Sequence, residues 1–334
     1  MKHLLIWTLS LLATFSIAEA KVKINGAGAS FPFPIYSKWF SEYEKVNTEV
    51  QFNYQAIGSG GGIRQLIKQT VDFGASDAPM KVKDKKKAAW PVKHVPTVLG
   101  AVSVAYNLPS VKKAIKLDGQ TLAGIFLTEI TKWNDKKIMA LNPGITLPNT
   151  DILVVRRADG SGTTAIFSDY LSKVSNDWKE KIGTGKTLRW PGTTIGAKGN
   201  DGVTGVLKKT KGSIGYVELA YALKNQLPVV SLKNKSGKYV APSIEGISAS
   251  AASLKSDIKE LAISITDADG DKVYPISAFT YILLPVKSKA DAKLMEVKKF
   301  LDWALGDGQK YAETLHYAPL PKNLAKRLRS SLTK

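Results

Sequence analysis

Two stretches, VPTVLGAVSVAYNLP (residues 95–109) and PISAFTYILLP (275–285), decide the fold. Both are apolar and bounded by prolines, which punctuate strands because they have no N–H to give to a ladder. Ordinary strands run to about 5–6 residues, so segments of this length reach beyond a single folded unit. A chain that leaves one unit along the first stretch and returns along the second builds two lobes. Lobe 1 is then discontinuous, residues 21–100 plus 280–334, and lobe 2 is residues 101–279. The chain has 334 residues, and single cores stop growing at about 250–300, which also favours two lobes.

Around these connectors, short β-rich runs alternate with amphipathic helical patterns, the mark of α/β layers. Strands are expected at 22–26, 50–58, 97–107, 152–157, 213–217 and 279–285. Helices are expected at 34–46, 61–70, 121–127, 163–173, 203–209 and 290–304. In such folds a ligand sits in the cleft between lobes, beyond the C-terminal edges of the strands.

The first twenty residues, MKHLLIWTLSLLATFSIAEA, read as a cleavable secretory signal. Lys2 and His3 form a short basic start, an apolar run follows, and Ala18-Glu19-Ala20 is an A-x-A cleavage site. Cleavage near Ala20 leaves a chain starting near Lys21, and no later segment has the apolar length of a membrane span. There is no cysteine, which excludes disulfides, thiolate metal sites and a cysteine nucleophile. The formal net charge is +20. Basic chains bind polyanions more often, but the lysines are scattered, as in KVKDKKK (81–87), and read as a solvated surface. No nucleic-acid partner is expected.

Three segments share one design: GAGASFPFP (26–34), AIGSGGGIRQLI (56–67) and RRADGSGTTAIF (156–167). In each a strand ends, glycine and a hydroxyl residue follow, and a helix begins. Free N–H groups and the positive end of the macrodipole at a helix start attract anions. Any one of these turns is equally an ordinary N-cap; three together, one beside an arginine, point to an oxyanion. Arg157 ends its strand, and its planar fork suits a tetrahedral oxyanion. Asp159 is placed to clamp the guanidinium. Arg156 points to the opposite face of the strand and is given no role.

DFGASDAPM (72–80) places Asp77 in a turn before a proline. A carboxylate in an anion site makes sense when the anion carries a proton. Hydrogen phosphate does, and sulfate at neutral pH does not. Leaving the carboxylate against bare lone pairs costs several kcal/mol, and sites built for a donor reject ligands without it by about four orders of magnitude. The residues alone leave a plain turn cap equally open.

Other motifs fall away on inspection. GTGKT (183–187) ends like a phosphate-binding loop, but Glu180 stands where the first glycine belongs. DADGDK (267–272) has Gly270 misplaced and Ala278 in place of a bidentate glutamate. A serine triad would need a base, and beyond the leader only His94 and His316 exist, neither near a glycine-rich turn. DFG (72–74) is without the other kinase motifs. No metal and no cofactor are expected.

Taken together, GAGASFPFPIYSKWF, YQAIGSGGG, DFGASDAPM, VVRRADGSGTTAIF, KGNDGV, GSIGYVE and HYAPLP resemble, in order and over the whole chain after the leader, the periplasmic phosphate-binding proteins of high-affinity phosphate ABC transporters. The resemblance implies a two-lobed periplasmic binding-protein fold of type II, with two crossing strands as hinge and the ligand in the interlobe cleft. It implies phosphate donors at Ser30, the Phe31 N–H, Ser59, Ser161, Gly162 and Thr163, ion pairing by Arg157, and a proton acceptor at Asp77, with Asp159 orienting Arg157. Ser30 stands where some relatives have threonine, and Gly60 where some have serine. The implied partners are inorganic phosphate and the transporter's membrane permease with its ATPase. The implied state is a periplasmic monomer without enzymatic activity. A secreted phosphatase on the same scaffold is the alternative, though no base is evident to activate a hydroxyl; a receptor for sulfate or molybdate is another.

Overall fold

The computed structural model describes residues 21–253, 262–287 and 291–332. The leader expected at 1–20 and Ala290, the first residue of the last expected helix, lie outside the described residues. In chain order, β1 (Val22–Gly28), α1 (Phe33–Val46), β2 (Val50–Gln55), α2 (Ser59–Ile67), β3 (Phe73–Ser76), α3 (Val82–Lys85) and β4 (Val92–Tyr106) come first. Next are β5 (Lys116–Leu117), α4 (Gly119–Phe126), α5 (Lys136–Leu141), β6 (Leu153–Arg157), α6 (Gly162–Val174), α7 (Asn176–Lys181), β7 (Ile195–Ala197) and α8 (Gly199–Lys209). The chain ends with β8 (Ser213–Glu218), α9 (Leu219–Lys224), β9 (Ser231–Lys233), β10 (Tyr239–Val240), α10 (Ile244–Ala252), β11 (Ser277–Pro285), α11 (Ala292–Leu305) and α12 (Lys322–Leu332).

Eight strands form one sheet in the order β2-β1-β3-β11-β4-β8-β6-β7. The outer sets are parallel, β2 with β1 and β1 with β3 on one side, β8 with β6 and β6 with β7 on the other. Between them β11 and β4 run antiparallel. β4 is the long connector: it pairs with β11 from Val92 to Ala101 and with β8 from Val102 to Tyr106. One strand thus leaves the first half of the sheet and enters the second, giving the two-lobed α/β fold with β4 and β11 crossing between the lobes. β11 is buried at every residue and β4 from Val95 onward, which explains apolar runs without alternation. The β4–β11 register slips between Thr280 and Tyr281, so Thr97 is left bulged. Its hydroxyl bonds the Tyr36 hydroxyl at 2.8 Å and the Thr280 carbonyl at 3.2 Å.

Helices cover the outer sets because their apolar residues recur at helical spacing. α1 buries Ile35, Tyr36, Trp39, Phe40 and Tyr43, a one-face pattern. Phe40 stacks on Phe52 of β2 with centroids 4.8 Å apart and meets Phe300 of α11 at 5.0 Å. Across the molecule, α6 buries Phe167, Tyr170 and Leu171, and Phe167 stacks on Tyr216 of β8 at 4.3 Å. Each such side chain contributes about 1.5–3 kcal/mol by leaving water. All the strands and helices expected from pattern are present, with ends shifted by a few residues. β3 was not expected. Its FGAS is four small or single aromatic residues, too short for a periodic signal, and it is a strand because β1 and β11 pair with it on either side. Among the described residues no helix is long and apolar enough to cross a membrane. The lysines of 81–87 are exposed, the solvated face expected of them.

Candidate functional site

Six parallel-set strands, β1, β2, β3, β6, β7 and β8, deliver residues from their C-terminal ends to one place. Ser30 and Phe31 follow β1, Ser59 follows β2, Asp77 follows β3, and Arg157 ends β6. Asn200 follows β7 and Glu218 ends β8. Ser30, Phe31, Ser59, Asp77, Arg157, Ser161 and Thr163 are each under 5 % exposed. So many polar groups held out of water imply a polar occupant or a dense internal network.

Arg157 is held from three directions. Its Nε donates to Asp159 Oδ1 at 2.8 Å, and Nη2 donates to Asp159 Oδ2. Its Nη1 donates to Thr163 Oγ1 at 3.2 Å, and its backbone N–H donates to the Tyr216 hydroxyl at 3.2 Å. Burial alone pushes the Asp159 carboxyl up, but the bidentate Arg157 bonds and charge outweigh it and hold the group below its usual range. The Gly199 N–H adds a further bond to Asp159 at 3.1 Å. The fork is thereby held in one direction. Gly58 lies against the same carboxylate: its φ is +82°, and a Cβ there would stand 2.1 Å from Asp159 Oδ2. Glycine is required on both counts. Arg156, by contrast, is half-buried and bonds the Thr194 hydroxyl on the far face.

Asp77 is buried. Its Oδ1 accepts from the Thr280 hydroxyl at 2.8 Å and its Oδ2 from the Ser59 hydroxyl at 3.3 Å. Burial pushes its carboxyl up to about 7, against the downward pull of the Thr280 hydroxyl, the Arg157 charge and the Ser59 hydroxyl. Burial thus favours the protonated carboxyl, while the neighbouring hydroxyls and the Arg157 charge favour the carboxylate. Thr280 lies on the crossing strand β11, distant in sequence, so no local signal pointed to it. Lys186, from the GTGKT stretch set aside as a nucleotide loop, also reaches this side. Its ammonium donates to the Pro79 carbonyl at 2.9 Å, and burial pushes it down to about 8, partly opposed by the Asp77 charge. The Ser161 N–H donates to the Lys186 carbonyl at 2.8 Å.

The three glycine-and-hydroxyl turns are not alike. Only RRADGSGTTAIF uses its hydroxyl as a cap, Ser161 Oγ accepting from the Thr164 N–H at 3.0 Å. That leaves the Gly162 and Thr163 N–H groups as the open donors of α6. Neither the Gly58 cap of α2 nor the Pro32 cap of α1 supplies a side-chain bond. Gly162 also passes very close to the opposite lobe, since a Cβ on it would stand 2.3 Å from both Asp77 Oδ2 and Ser59 Oγ. The Gly60 N–H donates to the Gly160 carbonyl at 2.7 Å, so the two turns are also joined through backbone. Phe31 is buried with its carbonyl accepting from the Tyr317 hydroxyl at 2.6 Å. The expected residues therefore form one cluster, and Thr280, Lys186 and Asn200 join it unforeseen. Asn200 lies in KGNDGV, where α8 begins at Gly199, four residues before the start expected for this helix.

The chain matches the family model of the PBP superfamily domain over residues 16–307. It is 46% identical over 309 residues to the phosphate-binding protein PstS of Xylella fastidiosa strain Temecula1, covering 92% of this chain and 84% of that one. It is equally 46% identical over 321 residues to the phosphate-binding protein PstS of Haemophilus influenzae, covering 96% of this chain and 95% of that one. In fold it is similar to a high-affinity periplasmic phosphate-binding protein, PfluDING, solved with bound phosphate. There the TM-score is 0.74 at 21% identity, over 93% of this chain and 94% of that one.

Proposed function

The chain belongs to the PstS phosphate-binding proteins of the PBP superfamily, and from that premise we propose that it captures inorganic phosphate outside the cytoplasm and presents it to an ABC transporter. The observation that carries this is a carboxyl, Asp77, buried among the donors of the cluster, so close to the start of α6 that a Cβ on Gly162 would stand 2.3 Å from its Oδ2. An anion receptor built only of donors has no use for such a group, whereas hydrogen phosphate brings the proton it accepts. In this reading Ser30, the Phe31 N–H, Ser59, Ser161 and the Gly162 and Thr163 N–H groups donate to phosphate oxygens, the Ser59 hydroxyl turning from Asp77 to the anion as it enters. Arg157 pairs with the charge, and Asp159 keeps it aimed. Charge-assisted bonds of this kind contribute about 1.5–3 kcal/mol each, much of it offset by stripping water from the anion.

The lobes divide at residues 21–100 with 280–334 and at 101–279, and they close on phosphate about β4 and β11. Closure marks the loaded form for the permease and its ATPase. The chain acts as a periplasmic monomer after its leader is removed near Ala20. It is a receptor and not a hydrolase: the hydroxyls in the cluster are capped or aimed, and His94, far from any of them in role, has its Nε2 accepting from the Met80 N–H at 3.0 Å. Calorimetric titration of the phosphate-stripped chain with phosphate and then sulfate at neutral pH tests this. One-to-one phosphate binding with silent sulfate is expected. Equal binding of sulfate overturns the choice of anion, and release of phosphate from a chromogenic ester overturns the receptor.

A further inference from the structure

Asn200 is the second residue of α8 and is fully buried. Its amide orientation is set by its surroundings: Oδ1 accepts from the Glu218 N–H at 3.0 Å, so Nδ2 must face the other way. There Nδ2 donates to Ser30 Oγ at 3.0 Å and to Thr163 Oγ1 at 3.2 Å. The Asn200 backbone N–H donates to Ser30 Oγ as well, at 3.1 Å, and Arg157 Nη1 donates to Thr163 Oγ1 at 3.2 Å.

A hydroxyl has two lone pairs and one hydrogen. Both lone pairs of Ser30 are taken by Asn200, and both of Thr163 by Asn200 and Arg157. Each hydroxyl is thus left with only its hydrogen to offer, and among the described residues no acceptor takes either one. We propose that Asn200 is a positioning residue that turns the Ser30 and Thr163 hydroxyls into obligate donors toward the bound anion. Ser30 follows β1 and Asn200 follows β7, on opposite sides of the crossing strands, so this arrangement exists only with the lobes closed. Donor polarity is thereby assembled by closure itself. The inference rests on the phosphate reading of the site.

The two obvious substitutions separate this role from a structural one. Asn200→Asp keeps the shape and the acceptor for the Glu218 N–H but replaces the donor with a second acceptor, which draws the hydroxyl hydrogens away from the anion. Asn200→Ala removes the side chain and leaves both hydroxyls free to rotate. If Asn200 positions donors, phosphate affinity measured by titration falls by about 100-fold in the Asp chain and by less in the Ala chain, although the melting temperature falls more in the Ala chain. A structural residue gives the reverse order in affinity. Added negative charge is separated by repeating Asn200→Asp in a Ser30→Ala background. The Asp penalty shrinks there if it acts through the hydroxyl, and a penalty of unchanged size overturns the proposal, as does an Asp chain within threefold of the parent. Should the Asp chain fail to fold, the cycle of Asn200→Ala with Ser30→Ala reads the same coupling, and strict additivity overturns it. Failure of the unaltered chain to bind phosphate would instead sink the functional reading, a separate outcome visible in the first titration.

Discussion

At the residue scale the decisive group is Asp77. Its ordinary pKa is near 3.8 and its folded value is raised to about 7 by burial. A raised carboxyl favours the folded state fully below its unfolded pKa and loses that advantage as pH climbs through the folded value. Asp77→Asn is therefore neutral for stability below about pH 4 and stabilising above pH 7, on the order of 2–4 kcal/mol at pH 8 in the absence of phosphate. Thermal melts of both chains across that range check it, and parallel curves would mean the carboxyl is not held out of water. In the proposed reading the same group sets selectivity. Asp77→Ala is expected to reduce the phosphate-to-sulfate affinity ratio by at least tenfold while sparing part of the phosphate binding, as read by competitive titration; an unchanged ratio removes Asp77 from recognition. Asp77, Arg157 and the hydroxyl residues were all visible in the sequence as candidates. Thr280, which holds Asp77 Oδ1 at 2.8 Å, was not, because only the antiparallel pairing of β11 with β3 and β4 brings it there.

At the element scale, the helix starts carry the site by different means. α6 is capped by Ser161 and offers the Gly162 and Thr163 N–H groups, while α2 begins without a side-chain cap. The glycine-and-hydroxyl pattern was legible in all three turns, yet the pattern could not tell a cap from a donor. That distinction depends on where the neighbouring strand ends. Gly162 gives the sharpest test, since a methyl there would stand 2.3 Å from both Asp77 Oδ2 and Ser59 Oγ. Gly162→Ala is expected to fold, with a loss of stability under about 1 kcal/mol given alanine's helix propensity, but to bind phosphate at least 100-fold more weakly because the two sides no longer meet. Titration with a parallel melt checks both halves of the statement, and wild-type affinity would show that the site has more room than the 2.3 Å approaches allow. β3 shows the opposite limit. FGAS has no periodicity to read, and only the neighbours on its two edges make it a strand.

For the whole molecule, the relevant quantity is the coupling of binding to closure. A ligand that binds only the closed folded state stabilises it by RT ln(1 + [L]/Kd), about 2.7 kcal/mol at a hundredfold excess over Kd. Phosphate at that excess is expected to raise the melting temperature, and Arg157→Ala to abolish the rise while the ligand-free chain still melts cooperatively. A rise that survives in Arg157→Ala would place the anion elsewhere. The composition and patterning of the chain determined by themselves the α/β class, the long apolar connectors, the exposed lysine face and the segments from which the site is built. These are local properties, written in the spacing of apolar residues, the placement of glycine and proline, and the chemistry of each side chain. The tertiary structure alone decided that β4 changes partners at Ala101 and Val102, that Thr280 and Lys186 face Asp77, and that Asn200 bridges Ser30 and Thr163. Each of these is a meeting of residues remote in the chain, and such meetings depend on strand order and register, which no local pattern encodes.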